Sequence, residues 1–141
     1  MDIKDFIIRL LVAMVAGTAI GLERQLHHKS AGLRTNALVA LGSAIFVMLS
    51  FEITAVKGGD STRIIGQIVT GIGFLGAGVI LHQGVNIQGL TTAATIWCSS
   101  AIGCLAAAGF YLEVAVCVTA VVFVNVVFHK IDDWIKKPDN D

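Results

Sequence analysis

The sequence has few charged residues for its length. Only 14% of its 141 residues are Asp, Glu, Lys or Arg, whereas a soluble globular domain carries about 25%. Acidic and basic residues balance at ten each, so the composition does not indicate a protein that binds nucleic acid. No acidic residue occurs between Asp60 and Glu113. That part of the chain therefore offers no paired carboxylates for acid–base chemistry.

Proline is nearly absent and cysteine is scarce. Pro138 is the one proline beside 15 glycines, a balance that favours closely packed helices in lipid. The three cysteines, Cys98, Cys104 and Cys117, lie in apolar runs, and their spacing matches no zinc pattern. We expect them to be small buried apolar residues and predict no metal site.

Long apolar runs fill most of the chain, with 55% hydrophobic residues and a mean hydropathy of +0.80. A helix needs about 20 residues to cross about 30 Å of hydrocarbon. The pattern predicts an all-α, polytopic membrane protein in one domain (residues 1–130), followed by a short amphipathic cytoplasmic tail (131–141). The five predicted spans are 6–22, 36–53, 64–81, 91–109 and 112–128. Four spans with one re-entrant segment are the alternative.

Lys and Arg are distributed unevenly between the two ends of these spans. With five spans, four basic residues lie on the side of the N-terminus and six on the opposite side. The first group is Lys4, Arg9, Lys57 and Arg63, and the second is Arg24, Lys29, Arg34, Lys130, Lys136 and Lys137. Because cytoplasmic segments carry an excess of basic residues, we expect the N-terminus outside and the C-terminus in the cytoplasm.

A weak internal repeat appears when the sequence is shifted by 57 positions. Gly32-Leu33-Arg34-Thr35 then meets Gly89-Leu90-Thr91-Thr92, and Ser43-Ala44-Ile45 meets Ser100-Ala101-Ile102. Spans one and two would correspond to spans three and four, as a parallel repeat about an axis along the membrane normal. Chance similarity among apolar residues is the alternative.

Glycines are concentrated in the third predicted span. Gly71, Gly73 and Gly76 spell G-x-G-x-x-G, but no acidic residue follows about 20 positions later, as a dinucleotide-binding fold requires. We instead predict a surface without side chains, where neighbouring helices pack closely. This helix-packing set is Gly66, Gly71, Gly73, Gly76 and Gly78.

Charged residues gather where the first two predicted spans meet. Glu23 and Arg24 end span one, and Arg34 begins span two. Because uncompensated charge near hydrocarbon is costly, we predict that Glu23 pairs with Arg34 or Arg24 through carboxylate–guanidinium hydrogen bonds. Solvated anchors at the membrane boundary are the alternative.

The residues from Asp60 to Arg63 stand just before the third predicted span. The sequence Asp60-Ser61-Thr62-Arg63 predicts a helix start, with Asp60 or Ser61 as the N-cap. An acidic mouth that attracts cations is the functional alternative.

Polar residues within the spans are few. Ionisable residues at membrane depth usually mark a transport path, and no Asp, Glu, Lys, Arg or His lies at depth in the predicted spans, Arg9 being close to the first boundary. Gln67 and Asn125 are predicted to hydrogen-bond between helices. No Ser/His/Asp set or metal-spaced His cluster occurs, so we predict a protein that is not an enzyme, without catalytic residues or cofactors.

Five sequence blocks resemble the membrane domain of the MgtC/SapB family. They are G-L-E-R-Q at 21–25, A-G-L-R-T-N at 31–36, D-x-x-R at 60–63, Q-I-V-T-G-I-G-F-L-G-A-G-V-I at 67–80 and G-L-T-T-A-A-x-I-W at 89–97. The resemblance implies a bacterial inner-membrane protein linked to growth under magnesium limitation and, in pathogens, to virulence. Well-known members continue into a C-terminal soluble domain that has no counterpart in this sequence.

From the blocks and the resemblance together, we expect a regulator of ion (Mg²⁺) homeostasis that works through contacts with membrane partners. A small oligomeric transporter or channel for Mg²⁺ or another cation is the alternative. The expected partners are the lipid bilayer, a second copy of the chain (a dimer being favoured) and another membrane protein. No nucleic acid partner is expected. The candidate binding residues are Glu23, Arg24, Arg34, Thr35, Asn36, Asp60, Arg63, Gln67, Thr91 and Thr92.

Overall fold

A computed structural model of the chain describes residues 1–83 and 86–135. These residues form five helices, each long and apolar enough to cross a membrane. The helices are α1 (Ile3–Leu26), α2 (Leu33–Lys57), α3 (Thr62–Val79), α4 (Leu90–Ala108) and α5 (Tyr111–Ile135). The prediction of an all-α membrane protein with five spans is therefore confirmed.

Several helices extend beyond the predicted spans. Helix α1 continues through Glu23 and Arg24 to Leu26, and α5 continues to Ile135. Hydropathy marks only the apolar part of a helix and not its end. A helix that leaves the hydrocarbon can therefore continue through polar residues, which is why the predicted spans are shorter than the helices. The predicted tail is therefore an extension of α5 as far as Ile135. Its remainder, residues 136–141, lies outside the described residues.

A short antiparallel hairpin joins α3 to α4. Strand β1 (Leu81–Gln83) pairs with β2 (Asn86–Gln88), with Leu81 opposite Gln88 and Gln83 opposite Asn86. The third predicted span extends to residue 81. Helix α3 instead ends at Val79.

Small residues allow α1, α2 and α4 to approach closely and form the core. A side chain at Gly17 on α1 would lie 2.5 Å from the Asn36 carbonyl oxygen of α2, and one at Gly103 on α4 would overlap the Ala40 carbonyl group. These glycines permit the small-residue packing that is typical of membrane helices. The core residues are Ala13, Ala16, Ile20, Ala44, Val47, Met48, Ile102, Ala106, Ala107 and Val114.

The predicted repeat agrees with the placement of α2 and α4. Both helices begin at equivalent positions, Leu33 and Leu90. The equivalent residues Ser43 and Ser100, 57 positions apart, share a buried hydrogen bond of 2.7 Å between their hydroxyl oxygens. A contact between equivalent residues is what an axis passing between two repeats produces.

The glycine-rich face of α3 does not pack inside the chain as predicted. A side chain at Gly66, Gly71, Gly73 or Gly78 would meet nothing within 4 Å, and one at Gly76 would make an ordinary contact of 3.6 Å with Ala93. Helix α3 buries only Ile72 and Gly76, so its other faces are open. Within this chain no other helix approaches four of the five glycines, because the close approaches lie on α1 and α4, and packing of these glycines against a helix of another chain stays a prediction.

Candidate functional site

A cavity of about 880 Å³ opens where α1 ends, α4 begins and α5 ends. We call it the end cavity. Its lining includes buried polar side chains of all three helices, among them Glu23, Arg24, Thr92 and Asn125. Exposed and half-buried residues, including His27, His28, Lys29, His129 and Asp132, complete the wall.

Glu23 is the buried carboxylate of the end cavity, with only 7% of its surface exposed. Its Oε2 atom accepts a hydrogen bond of 3.0 Å from the Asn125 amide of α5. The Nδ1 atom of His27, which follows the end of α1, lies 3.1 Å from the Oε1 atom of Glu23 and 2.9 Å from its backbone carbonyl oxygen, since residues four apart share a helix face. Both carboxylate oxygens therefore have a partner, as a buried charge requires.

Asn125 extends this contact to α4. Its side-chain amide lies 3.4–3.5 Å from the hydroxyl of Thr95, and that hydroxyl donates to the Thr91 carbonyl group at 2.9 Å. The prediction that Asn125 hydrogen-bonds between helices is confirmed. The three helices are thus joined by polar contacts at this end of the bundle.

Arg24 is almost completely buried, with 2% of its surface exposed. Its Nη2 atom donates a hydrogen bond of 3.0 Å to the Thr92 hydroxyl, whereas its Nε atom has no partner among the described residues. No carboxylate of residues 1–83 or 86–135 forms a salt bridge with it. A buried guanidinium without an anionic partner is costly in any apolar setting.

The predicted pairing of Glu23 with Arg34 or Arg24 is wrong. Successive residues of a helix point about 100° apart, so Glu23 faces α5 and Arg24 faces Thr92 of α4. Arg34 is exposed at the start of α2. The carboxylate is held by His27 and Asn125 instead.

The first turn of α4 forms another side of the end cavity. Gly89 precedes this helix with a φ of +92°, and a side chain there would overlap the Val79 carbonyl group. Glycine tolerates this left-handed conformation. The turn places Thr91 and Thr92 at the cavity, with Thr92 buried and Thr91 exposed.

Asn36 is buried beside this site but does not line the cavity. Its side-chain nitrogen donates to the carbonyl groups of Ala31 and Gly32 at 2.9 Å, and its Oδ1 atom accepts from Ser99 of α4 at 2.8 Å. These bonds fix the loop before α2 and tie α2 to α4.

Three of the predicted residues line a different surface. Arg34, Thr35 and Gln67 lie along a mostly apolar groove of about 640 Å³ between α2 and α3. Gln67 is exposed, so the prediction that it hydrogen-bonds between helices of this chain is wrong. Its position on the open face of α3 explains the difference.

Asp60 and Arg63 lie at the opposite end of the bundle. The Oδ1 atom of Asp60 accepts bonds from the Thr62 hydroxyl at 2.6 Å and the Thr62 amide at 2.8 Å. Asp60 thus holds the start of α3, as the predicted cap would, while Ser61 makes no capping bond. These two bonds, the hydroxyl first, keep the pKa of the exposed Asp60 carboxyl below its usual value. The ten candidate residues are therefore divided among three locations, with Asn36 between two of them.

Sequence reasoning missed His27 and His129 as site residues. Their rings lie edge to face, with centroids 5.6 Å apart. The spacing of Glu23 and His27 along α1 was a usable signal, whereas no local pattern indicated His129. Among the described residues, no three His, Cys, Asp or Glu side chains are grouped so that they could hold a metal ion.

Comparison with known proteins places the chain in a family. A sequence model described as "MgtC family" matches residues 10–134. Protein MgtC of Brucella abortus is 51% identical over 115 residues, which cover 80% of this chain and 47% of that protein. Protein MgtC of Salmonella typhimurium is 46% identical over 125 residues, or 89% of this chain and 53% of that protein.

An uncharacterized protein of Synechocystis sp. (slr0014) is 43% identical over 135 residues, which cover 96% of this chain and 57% of that protein. The chain thus spans about half the length of the curated relatives it matches. No solved structure matches it significantly. The family match includes parts of all five helices, and the chain belongs to the MgtC family.

Proposed function

We propose that this MgtC-family membrane protein regulates ion homeostasis, with Mg²⁺ as the ion concerned, by contacting other membrane proteins. The observation that carries the proposal is the contrast between the two halves of the bundle interior. The buried charged residues Glu23 and Arg24 lie at the end cavity, whereas the interior beyond it is filled by apolar residues such as Ala13, Val47 and Met48 and by small hydroxyl residues such as Ser43 and Ser100. Such an interior suits a protein that binds at one membrane boundary better than one that conducts ions.

The end cavity faces the cytoplasm in this proposal. Arg24, Lys29, Arg34 and Lys130 lie at that end of the helices, and basic residues favour the cytoplasmic side. The N-terminus is then outside, and the bacterial inner membrane is the compartment expected for the family. We further propose that the chain is not an enzyme.

The open faces of the bundle are where membrane partners dock in this proposal. Helix α3 buries only Ile72 and Gly76, and its exposed glycines present backbone to the surroundings. Close helix contacts in lipid form at such surfaces. A second copy of the chain is one candidate, since dimers are the commonest closed assembly, and another membrane protein is the other.

A cation transporter formed at an oligomer interface is the second candidate. The exposed Gln67 in the groove between α2 and α3 favours it, because a polar side chain at membrane depth often lines a path. The path would then lie between copies of the chain and not inside one.

Growth and flux measurements distinguish the two candidates. The full chain and its Glu23→Gln variant are expressed in a bacterium that lacks its own MgtC-family protein and is grown in limiting Mg²⁺. Glu113→Gln is the matched control, because Glu113 is exposed at the start of α5. The regulator predicts growth with the wild type and the control but not with Glu23→Gln, and no Mg²⁺ flux when the protein is placed in liposomes. If the liposomes show Mg²⁺ flux and Glu23→Gln or Asp60→Asn abolishes it, the transporter becomes the preferred candidate.

A further inference from the structure

We infer that the end cavity binds a phosphate group, held between the Arg24 guanidinium and the N-terminus of α4. The binding itself does not depend on the proposed function, which supplies only the cytoplasmic side from which the ligand enters.

Arg24 is a buried cation that forms no salt bridge with the described residues. It lines the cavity, it is almost completely buried, and its Nε–H group has no partner among the described residues. Its one hydrogen bond goes to a neutral hydroxyl, that of Thr92. Since a buried charge is normally paired, this arrangement is completed by an anion.

The second argument is the first turn of α4, which lines the same cavity through Leu90, Thr91 and Thr92. The first amides of a helix have no intrahelical acceptor, and Gly89 at the N-cap offers no side chain to cap them. Backbone amides and the positive end of the helix dipole favour an anion at this position. The Thr92 hydroxyl already accepts from Arg24, so its own proton remains available to a ligand oxygen.

The remaining charges of the cavity are compatible with an added anion. The negative Glu23 lines the same cavity, but its Oε2 atom accepts a hydrogen bond from Asn125 and its Oε1 atom lies 3.1 Å from Nδ1 of His27. Lys29 and His28 also line the cavity, as does the exposed acidic residue Asp132. Among the described charged groups that line the cavity, Arg24 is the one that is both buried and outside any salt bridge.

The arrangement of donors suits phosphate better than carboxylate. The guanidinium, the threonine hydroxyl and the helix amides are three kinds of donor on two different helices. A tetrahedral phosphate presents oxygens in several directions, whereas a carboxylate presents two in one plane, which a single guanidinium satisfies. A volume of about 880 Å³ leaves room for the rest of a phosphate-bearing molecule.

Two sources can supply this phosphate at the membrane boundary, a phospholipid headgroup and a soluble phosphate compound. The experiment compares them on the purified full chain. Binding of inorganic phosphate is measured by calorimetry in detergent with chloride as the counter-anion. Retention of phosphatidic acid, against a neutral diacylglycerol, is measured by native mass spectrometry.

Arg24→Gln is the test variant and Lys130→Gln the control that removes a positive charge at the same end of the bundle, because Lys130 is exposed on α5 and does not line the cavity. The wild type and the control are expected to bind one phosphate-bearing ligand per chain. Arg24→Gln should bind at least about tenfold more weakly, the loss expected for one charged hydrogen-bonding partner. Phosphate binding alone assigns a soluble ligand, and phosphatidic acid retention alone assigns a lipid headgroup.

Thr92→Val and Arg24→Lys keep the inference testable if Arg24→Gln does not fold. Thr92→Val removes the hydroxyl, and Arg24→Lys keeps the charge but loses the planar donors; both should weaken binding while the chain still elutes as one species. Failure of the wild type to bind either probe, or equal binding by all the Arg24 and Thr92 variants, would overturn the inference. The growth phenotype of Glu23→Gln is measured separately, so either result can stand without the other.

Discussion

The side-chain amide of Asn125 on α5 donates a hydrogen bond of 3.0 Å to the carboxylate of Glu23 on α1, across 102 positions of the chain. It is one of two contacts that compensate a buried negative charge at the end of the bundle, the other coming from His27. Helix α5 is otherwise mostly open, and Val114 and Asn125 are the buried residues among those of its side chains that the structure describes. This bond couples α5 to α1 at the candidate site, beside the contact between the His27 and His129 rings.

Replacing Asn125 with Ala should destabilise the protein through Glu23. The variant leaves one carboxylate oxygen buried without its donor, at an expected cost of about 1–3 kcal/mol. Thermal unfolding in detergent measures the loss. The control is Thr119→Ala on the same helix, because Thr119 is exposed and bonds only to the Ala115 carbonyl group of its own helix. Equal stability of the two variants would mean that Asn125 does not support Glu23.

Substitution by alanine should destabilise the protein at Gly103 but not at Gly73. The methyl group at Gly103 would overlap the Ala40 carbonyl group, and such overpacking costs about 1–3 kcal/mol. The methyl group at Gly73 enters open space, so Gly73→Ala should leave stability unchanged or raise it by up to about 1 kcal/mol through helix propensity. Melting temperatures of the two variants in detergent test this contrast. Destabilisation by Gly73→Ala alone would show that α3 and not α4 carries the close contacts.

A disulfide between positions 43 and 100 should test the packing of α2 on α4. The hydroxyl oxygens of Ser43 and Ser100 are 2.7 Å apart, so the double variant Ser43→Cys/Ser100→Cys should form an intramolecular disulfide on oxidation. The background requires Cys98, Cys104 and Cys117 to be replaced by Ala. Thiol labelling before and after reduction counts the free thiols. A pair that stays fully labelled under oxidising conditions would contradict this register, whereas Ser43→Cys/Ala107→Cys should remain unlinked.

The Asp60 carboxylate should make the stability of α3 depend on pH. Its bonds from Thr62 lower its pKa in the folded state, so their contribution is present above the unfolded pKa of about 3.9 and is lost as pH falls through the lower folded value. Asp60→Asn should remove this part of the pH dependence below about pH 4. Unfolding midpoints between about pH 2.5 and 6 measure it, with Asp132→Asn as the exposed control outside α3. Parallel curves for wild type and Asp60→Asn would exclude the effect.

The number and type of the elements could be predicted from the sequence because apolar runs of membrane length have few alternatives. The C-terminal end of α1 could not be predicted, since hydropathy assigns Glu23 and Arg24 to a loop, whereas both residues lie in the helix. Neighbours along one helix, such as Glu23 and His27, could be found from their spacing. The partner of Glu23 on α5 could not, because hydropathy does not say which helices touch or how they are rotated. For the same reason the glycines of α3 were expected to be covered, although Gly17 and Gly103 are the ones that other helices approach.

The central claim is that the buried charged groups Glu23 and Arg24 lie at one end of this bundle and that apolar and small hydroxyl side chains close the rest. Thiol labelling of single cysteines tests it most directly, with a small membrane-impermeant maleimide applied to either face of membrane vesicles and the native cysteines replaced by Ala. Gln88→Cys, at the end cavity, should react from the cytoplasmic face only, and Val47→Cys, in the apolar interior, should react from neither face. Labelling of Val47→Cys by the aqueous reagent in folded protein would reveal a water-filled path through the chain and contradict the account.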